Sequence, residues 1–420
     1  MFVKKATKKA FWVLVVFVAV AIFIGCEKKE NPAAVSGTDR SAGTELQPVK
    51  IAVAFWQIDA NALLVQKYLQ EYVSPALNVS FMFSEAVADA DSLMTFMENA
   101  YAAGCQGIMN YQNSSIEQAI AKANELGMYI ATNTTIEAEN SDALYNTGFV
   151  AADPVGVAKS FGDLVRVLVN DGRQHNIIIV SAGAGFGNPE HYEAAKAILH
   201  TLEDVYGLKY TKTVEELAVS RAETVVANDK GIKIVIYPGF PTGDTYVTGM
   251  SVLLQTGDYD TVLACNAAYA RFSVAIDEVE KAYGKDIRVS AITSINDQTR
   301  TAFTTLDSSG NSSLNSALVM PSVSTAVGLF SLVYNGITGY ADRVRINGSG
   351  SLFDSPKWKC GDVAEYSRIE RINTSDDKWE VTLDELKQLL VVFNPAADST
   401  SIYRQLEGVT SEYILQARGL

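Results

Sequence analysis

The sequence predicts an α/β protein built on parallel sheets, and two observations carry that prediction. From Val49 onward short apolar runs alternate with longer amphipathic stretches, the order that lays helices on both faces of a parallel sheet. Nine such runs occur before residue 321, too many for one small sheet.

The strand-like runs are 49–54 (VKIAVA), 78–83, 107–110 (GIMN), 128–132 (MYIAT), 176–181 (NIIIVS), 232–237 (IKIVIY), 261–265 (TVLAC), 287–293 (IRVSAIT) and 317–320 (ALVM). Helical periodicity fills the intervals at 61–72, 91–103, 115–126, 155–169, 190–205, 244–255, 268–283 and 324–335. Asp153-Pro154 and Asn188-Pro189-Glu190 each set a capping side chain before a proline, so helices begin near 154 and 189. The first of these is expected to bury Val155, Ala158, Phe161, Val165, Leu168 and Val169 along one stripe.

With 420 residues, 48% hydrophobic and 20% charged, the chain is globular and long enough for two domains. Its formal charge of -14 argues against nucleic acid as a partner. The N-terminus places Lys4, Lys5, Lys8 and Lys9 before an uncharged stretch from Ala10 to Gly25, and Cys26 follows. This is the layout of an export signal. Phe23-Ile24-Gly25-Cys26 resembles the lipobox of bacterial lipoproteins, with Phe23 standing where Leu is usual. The resemblance implies a signal peptide at 1–25, a lipid on Cys26 and attachment to the cell membrane, facing the periplasm or the outer surface. Residues 26–47 read as a flexible tether spanning about 25 Å. Cys105, Cys265 and Cys360 remain, an odd number in apolar surroundings, and are expected to be core residues.

In open parallel sheets a ligand binds beyond the carboxyl ends of the strands. At those ends stand Phe55, Trp56, Gln57 and Asp59; Tyr111, Gln112 and Asn113; Asn133 and Thr134; Asp153; Phe186 and Asn188 in a glycine-rich loop; Tyr237 and the Pro238-Gly239-Phe240 that follows; Asn266; and Asn296 and Asp297. That mixture suits a neutral, hydroxyl-bearing ligand: aromatic faces stack on apolar ring faces, and amides and carboxylates hydrogen-bond hydroxyls. An anionic ligand would want arginine or lysine there; Arg271 and Arg300 lie slightly further on.

The order of elements, the leader and these strand ends together resemble the type I periplasmic binding proteins, the sugar-binding branch of ABC transporter substrate-binding proteins, over roughly residues 48–340. The resemblance implies two Rossmann-like lobes joined by a three-strand hinge, with ligand held between them. It places crossings near Ala152-Asp153, Ser294–Asn296 and Pro321-Ser322. It assigns 48–152 plus about 295–321 to the N-terminal lobe, and 153–294 plus about 322–340 to the C-terminal lobe. VLACNAAYARFSVAIDEV points to Asn266 as a ligand contact, and VSAITSIND to Asn296 or Asp297. At YIATNT, Asn133-Thr134 replaces the Asp-Arg of ribose-type binders, which argues against a simple aldopentose. The implied function is capture of a sugar or neutral polyol for an ABC importer, by a monomer without cofactor or metal. A sensory or chemotactic receptor, or a binder of nucleosides or other small solutes, is the alternative.

Enzyme motifs are lacking: there is no H-E-x-x-H, no G-x-S-x-G and no paired cysteines, and the only histidines are His175, His191 and His200. His191, near the expected cleft, reads as a surface residue. The loop Gly183-x-Gly185-x-Gly187 departs from the dinucleotide fingerprint in its third glycine. Residues 341–420 lie beyond the resemblance, with mixed strand character around Trp358, Cys360 and Trp379 and a helical stretch at 383–393. They are expected to pack on the lobes as an extension.

Overall fold

The structure, a computed structural model, describes residues 46–420 except 137, 183–187 and 240–243. The leader, Cys26 and the tether up to residue 45 lie outside the described residues, as do Phe186 with its glycine loop and Phe240.

In chain order the strands are β1 (Val49–Ala54), β2 (Val79–Phe83), β3 (Gly107–Asn110), β4 (Tyr129–Thr132), β5 (Asn146–Ala151), β6 (Ile177–Ser181), β7 (Thr224–Val225), β8 (Ile234–Pro238), β9 (Thr261–Ala264), β10 (Arg288–Ser294), β11 (Ser316–Met320), β12 (Leu352–Asp354) and β13 (Trp358–Cys360). They form two sheets, ordered β12-β5-β4-β3-β1-β2 and β13-β11-β10-β9-β6-β8-β7. Every pairing in the first sheet is parallel. In the second, only the edge pairs β11–β13 and β7–β8 are antiparallel. The two lobes repeat one plan: the opening strand, β1 or β6, lies between the next long strand, β2 or β8, and the third, β3 or β9.

Both predicted helix starts are present. Asp153 accepts from Gly156 N at 2.7 Å and opens the helix Pro154–Val169; Asn188 accepts from His191 N at 3.0 Å and opens Pro189–Tyr206. The first helix buries the expected Ala158, Phe161, Val165 and Val169, with Leu168 half-buried and Val155 exposed, and its buried face is widened by Val157, Gly162 and Leu164. The reason is its partner, the Pro189–Tyr206 helix, which comes so close that a Cβ on Gly162 would lie 3.3 Å from Thr201 Oγ1. The three cysteines are buried and unpaired, as expected.

Two lobe assignments need correction. Residues 295–321 were expected in the N-terminal lobe, but β11 pairs with β10 in the second sheet. Residues 322–340 were expected in the C-terminal lobe, yet the helix Ser322–Asn335 packs on β3, β4 and β5. A Cβ on its Gly328 would sit 2.9 Å from Val150 of β5 and from Leu406. All of this helix is buried: it has no charged residue, and several of its polar side chains are met by partners such as Glu380, Ser355 and Leu389 O, so it takes cover from both the sheet and the C-terminal segment. The chain therefore crosses between lobes after β5 near Ala152, after β11 at Pro321, and between β12 and β13 at 355–357. Ser294–Asn296 is no crossing; it leads from β10 into the helix Asp297–Thr304.

The C-terminal segment is shared by the lobes. β12 and β13 each complete one sheet, and the rest straddles the pair. On the first lobe, Trp379 lies edge-on to Tyr68 with centroids 5.0 Å apart, and Tyr68 Oη donates to Val381 O at 2.9 Å. On the second, Tyr366 stacks on Phe303 at 4.7 Å and donates to Asn296 O at 3.1 Å. The expected helix at 383–393 is only Leu383–Gln388.

Candidate functional site

The carboxyl ends of the two sheets face each other. Asn61, in the first turn of the helix after β1, donates through Nδ2 to Ser294 Oγ at the end of β10 (2.8 Å) and accepts from Ser322 Oγ just after β11 (2.9 Å). The strand ends of both sheets therefore border the space between the lobes.

In each sheet the strand order reverses beside the opening strand, so the crevice of a doubly wound fold falls between β1 and β3 and between β6 and β9. At the first, buried Phe55 stacks on Tyr111 with ring centroids 5.2 Å apart. The Tyr111 hydroxyl is buried without a hydrogen-bond partner among the described residues, and burial pushes its pKa well above the usual phenol value. At the second, Asn266 accepts through Oδ1 from Ala268 N at 2.8 Å, while its Nδ2 is buried without a partner. Buried polar groups are normally satisfied. Each crevice therefore carries one buried polar group without a partner among the described residues.

The remaining predicted residues divide by what already occupies their polar atoms. Trp56 is 53% exposed at the end of β1, an indole face open to solvent. Asp59 caps the Ala60–Lys67 helix through Ala62 N at 2.9 Å and also accepts from Gln57 Nε2. Asn133, after β4, donates to Val150 O at 2.7 Å and keeps its oxygen available. Asp153 sits on the first crossing, where its N–H donates to Asp354 Oδ1 at 2.8 Å. Asn188 and Asn296 are helix caps. The Tyr237 hydroxyl donates to Tyr246 O at 2.7 Å. Asp297 points outward, its side chain 90% exposed and paired with Arg300.

Thr132 was not singled out from the sequence. Its hydroxyl at the end of β4 is also buried without a partner, and the signal available was a polar residue closing an apolar run.

Two basic side chains in this region are paired with carboxylates. Arg300 is held by Asp297 at 2.8 Å and Glu370 at 2.7 Å, and Lys357 is held by Glu190 at 2.6 Å. His191 is not the surface residue expected: it is 7% exposed and accepts at Nδ1 from Ala182 N at 3.2 Å. Burial lowers its pKa to about 4, so the ring is neutral at pH 7. A cavity of about 300 Å³ opens beside the first and third crossings, lined by Asp153, Gly156, Asp354, Pro356 and Lys357 among others. The aromatic faces stand at the strand ends, whereas this cavity is lined by charged side chains of both signs, Asp153, Asp163, Asp354, Lys159, Lys357 and Lys359.

This fold is that of the type I periplasmic binding proteins, two parallel-sheet lobes crossed three times by the chain. The arabinose-transporter periplasmic binding protein of Shewanella sp. ANA-3, solved with L-arabinofuranose, is similar with a TM-score of 0.53, 11% identity, and coverage of 76% of this chain and 95% of that one. An ABC transporter solute-binding protein of Mycobacterium smegmatis with bound glycerol gives 0.53 and 12%, covering 77% and 97%. One of Bacillus halodurans C-125 with bound myo-inositol gives 0.50 and 16%, covering 78% and 99%. No protein-family model and no curated protein matches by sequence. Among the described residues no helix is long and apolar enough to cross a membrane.

Proposed function

We propose that this protein is an extracytoplasmic solute receptor that takes a sugar or related neutral polyol between its lobes and delivers it to an ABC importer. The observation that carries the reading is the pair of unpartnered buried groups, Tyr111 Oη and Asn266 Nδ2, at the matching crevices of facing sheets. The open indole of Trp56 and the pairing of Arg300 and Lys357 with carboxylates favour an uncharged ligand that combines an apolar face with hydroxyls. The bound ligands of the similar solved proteins, L-arabinofuranose, glycerol and myo-inositol, have that chemistry.

Function on this reading is binding and closure. A ligand touching both lobes favours the closed arrangement only by its differential affinity for it. The receptor works as a monomer, and a diacylglycerol on Cys26 with the tether to residue 47 keeps it beside its permease.

The test is a thermal-shift screen of the purified protein against sugars, polyols, nucleosides and amino acids, since ligand at 100 times its Kd adds about 2.7 kcal/mol. A shift with a sugar or polyol, lost in Tyr111→Phe and Asn266→Ala, supports the proposal. A nucleoside or amino acid shifting the protein while every carbohydrate fails would reject it.

A further inference from the structure

At the far end of the second lobe from the cleft, three carboxylates from three separate places in the chain converge. Glu280 comes from the last turn of the helix Tyr269–Tyr283, Asp286 from the loop into β10, and Asp307 from the loop before β11. One oxygen of each lies within 4.8 Å of the others.

The neighbouring cations are engaged elsewhere. Lys281 is paired with Asp277, and Lys285 donates to the carbonyls of Gly257 and Tyr259.

The oxygens that ordinary hydrogen bonding uses are distinct from those left over. Glu280 is 3% exposed; its Oε1 accepts from Ile287 N at 2.8 Å, and its Oε2 is buried with no partner. Asp307 Oδ1 accepts from Ser309 N at 2.9 Å and Asn311 N at 3.1 Å, and its Oδ2 is likewise buried and unpartnered. Ser309 Oγ lies 2.6 Å from Asp307 Oδ1 and 3.1 Å from Asp286 Oδ1, but a hydroxyl has one proton to give. The loop is fixed to the helix where Ser308 N donates to Asp277 Oδ1 at 3.1 Å. Burial, with neighbouring Asp307, Asp286 and Asp277, raises the Glu280 pKa to about 7. One shared proton would still leave two negative charges among the three carboxylates.

We propose that Glu280, Asp286 and Asp307 bind a calcium ion that ties the end of the Tyr269–Tyr283 helix to the start of β10 and to the 307–311 loop. The three carboxylates and the Ser309 hydroxyl form an all-oxygen set, with Asn311 Nδ2 donating to Ser309 Oγ at 3.2 Å. Such a set on a flexible loop suits calcium, which accepts irregular coordination, over magnesium, which demands near-ideal octahedral geometry. The site is independent of the cleft and of what the cleft binds.

The experiment is isothermal titration and thermal denaturation of the purified protein after EDTA treatment, with CaCl2 and MgCl2 as probes, on the parent, Asp307→Asn, Glu280→Gln and the milder Ser309→Ala. The proposal expects one calcium site with Kd of about 10⁻⁴–10⁻³ M and a melting point raised by roughly 3 °C or more at saturation. Magnesium at equal concentration gives a clearly smaller shift. Asp307→Asn and Glu280→Gln lose the calcium response, and Ser309→Ala weakens it several-fold. A parent protein indifferent to calcium overturns the proposal, whether or not the variants fold. So does a calcium shift that persists in Asp307→Asn and Glu280→Gln. A parent indifferent to calcium together with Glu280→Gln melting higher in EDTA identifies the cluster as one that shares a proton.

Discussion

Asn61 Nδ2 donates to Ser294 Oγ across the mouth of the two lobes, 233 positions apart in the chain, at 2.8 Å. The same amide accepts from Ser322 Oγ at the second crossing, so one side chain ties a strand end of the second sheet to the hinge and to the first lobe. If the lobes separate in the ligand-free protein, this bridge belongs to the closed arrangement. Asn61→Ala is then expected to weaken ligand affinity by roughly 3- to 10-fold, the worth of one or two modest hydrogen bonds. Most of the loss should appear as faster dissociation, measured by stopped-flow with the ligand found in the screen. Unchanged affinity and dissociation rate would show that the bridge has no part in closure.

Trp56 makes a separate prediction about the face of the ligand. Its indole is half exposed at the end of β1, beside the buried Phe55–Tyr111 stack. Stacking of this kind is worth about 0.5–1.5 kcal/mol, so Trp56→Ala should raise Kd roughly 2- to 12-fold and leave the melting point of the free protein nearly unchanged. Trp56→Phe should recover much of the loss. Equal binding by Trp56→Ala and the parent in calorimetry would remove the indole from the site.

Nine strands and most helices were legible because their apolar periodicity is local, and caps such as Asp153-Pro154 announce themselves in two residues. β5 and the short β7 and β12 were not: the first half of β5 is Asn146-Thr147-Gly148, whose polar side chains are satisfied by Ser141 O in the preceding turn and by Ile130 O of β4. Nor could periodicity say which sheet a strand joins, and so β11 and the Ser322–Asn335 helix were given to the wrong lobes. At the candidate site, position along a strand was readable and pointed to Tyr111 and Asn266. Whether each polar atom is already used was not readable. Asn188 is the helix cap that Pro189 announced, but Asn296 turned out to be one as well, a role that depends on the backbone folding back onto the side chain. The Glu280–Asp286–Asp307 cluster carries no contiguous motif, because Asp307 reaches it from a loop 27 residues further along the chain than Glu280.

His175 gives a prediction in pH. It is buried at the entry to β6, with Nδ1 3.3 Å from Asp260 and Nε2 3.1 Å from Asp171, and Asp171 is itself bound by Arg173 and Arg288. The contact with Asp260, and then that with Asp171, raises the imidazole pKa against the opposing effect of burial. A folded-state pKa above the unfolded value means that stability is fully present below about pH 6.5 and is lost as pH rises through the folded value. Urea denaturation of the parent and of His175→Gln should therefore differ most near pH 5.5 and least near pH 9. A difference that does not change with pH would mean that His175 contributes packing alone. Ligand affinity should be the same in both proteins, since His175 lies at the opposite end of the sheet from the cleft.

Glu380 makes the last prediction, about how the C-terminal segment holds the lobes. Its carboxylate is fully buried and accepts from Ser324 N at 2.6 Å, Ser324 Oγ at 2.9 Å and Asn373 Nδ2 at 2.7 Å. It thereby caps the Ser322–Asn335 helix from 56 positions away, just past the second crossing. A negative group there meets unsatisfied N–H groups and the positive end of the helix dipole. Burial nonetheless raises its pKa. Glu380→Ala leaves Ser324 N and Asn373 Nδ2 buried without acceptors, at a cost of about 2–4 kcal/mol, while Glu380→Gln keeps one acceptor and should lose less. The neighbouring contacts of this segment reach both lobes, through Tyr68 and Trp379 on one side and Tyr366 and Asn296 on the other. Local loosening should therefore appear in amide exchange of residues 322–326 and 366–381 together, before global unfolding. Exchange confined to residues near 380, with the helix start still protected, would show that the cap does not couple the segment to the hinge.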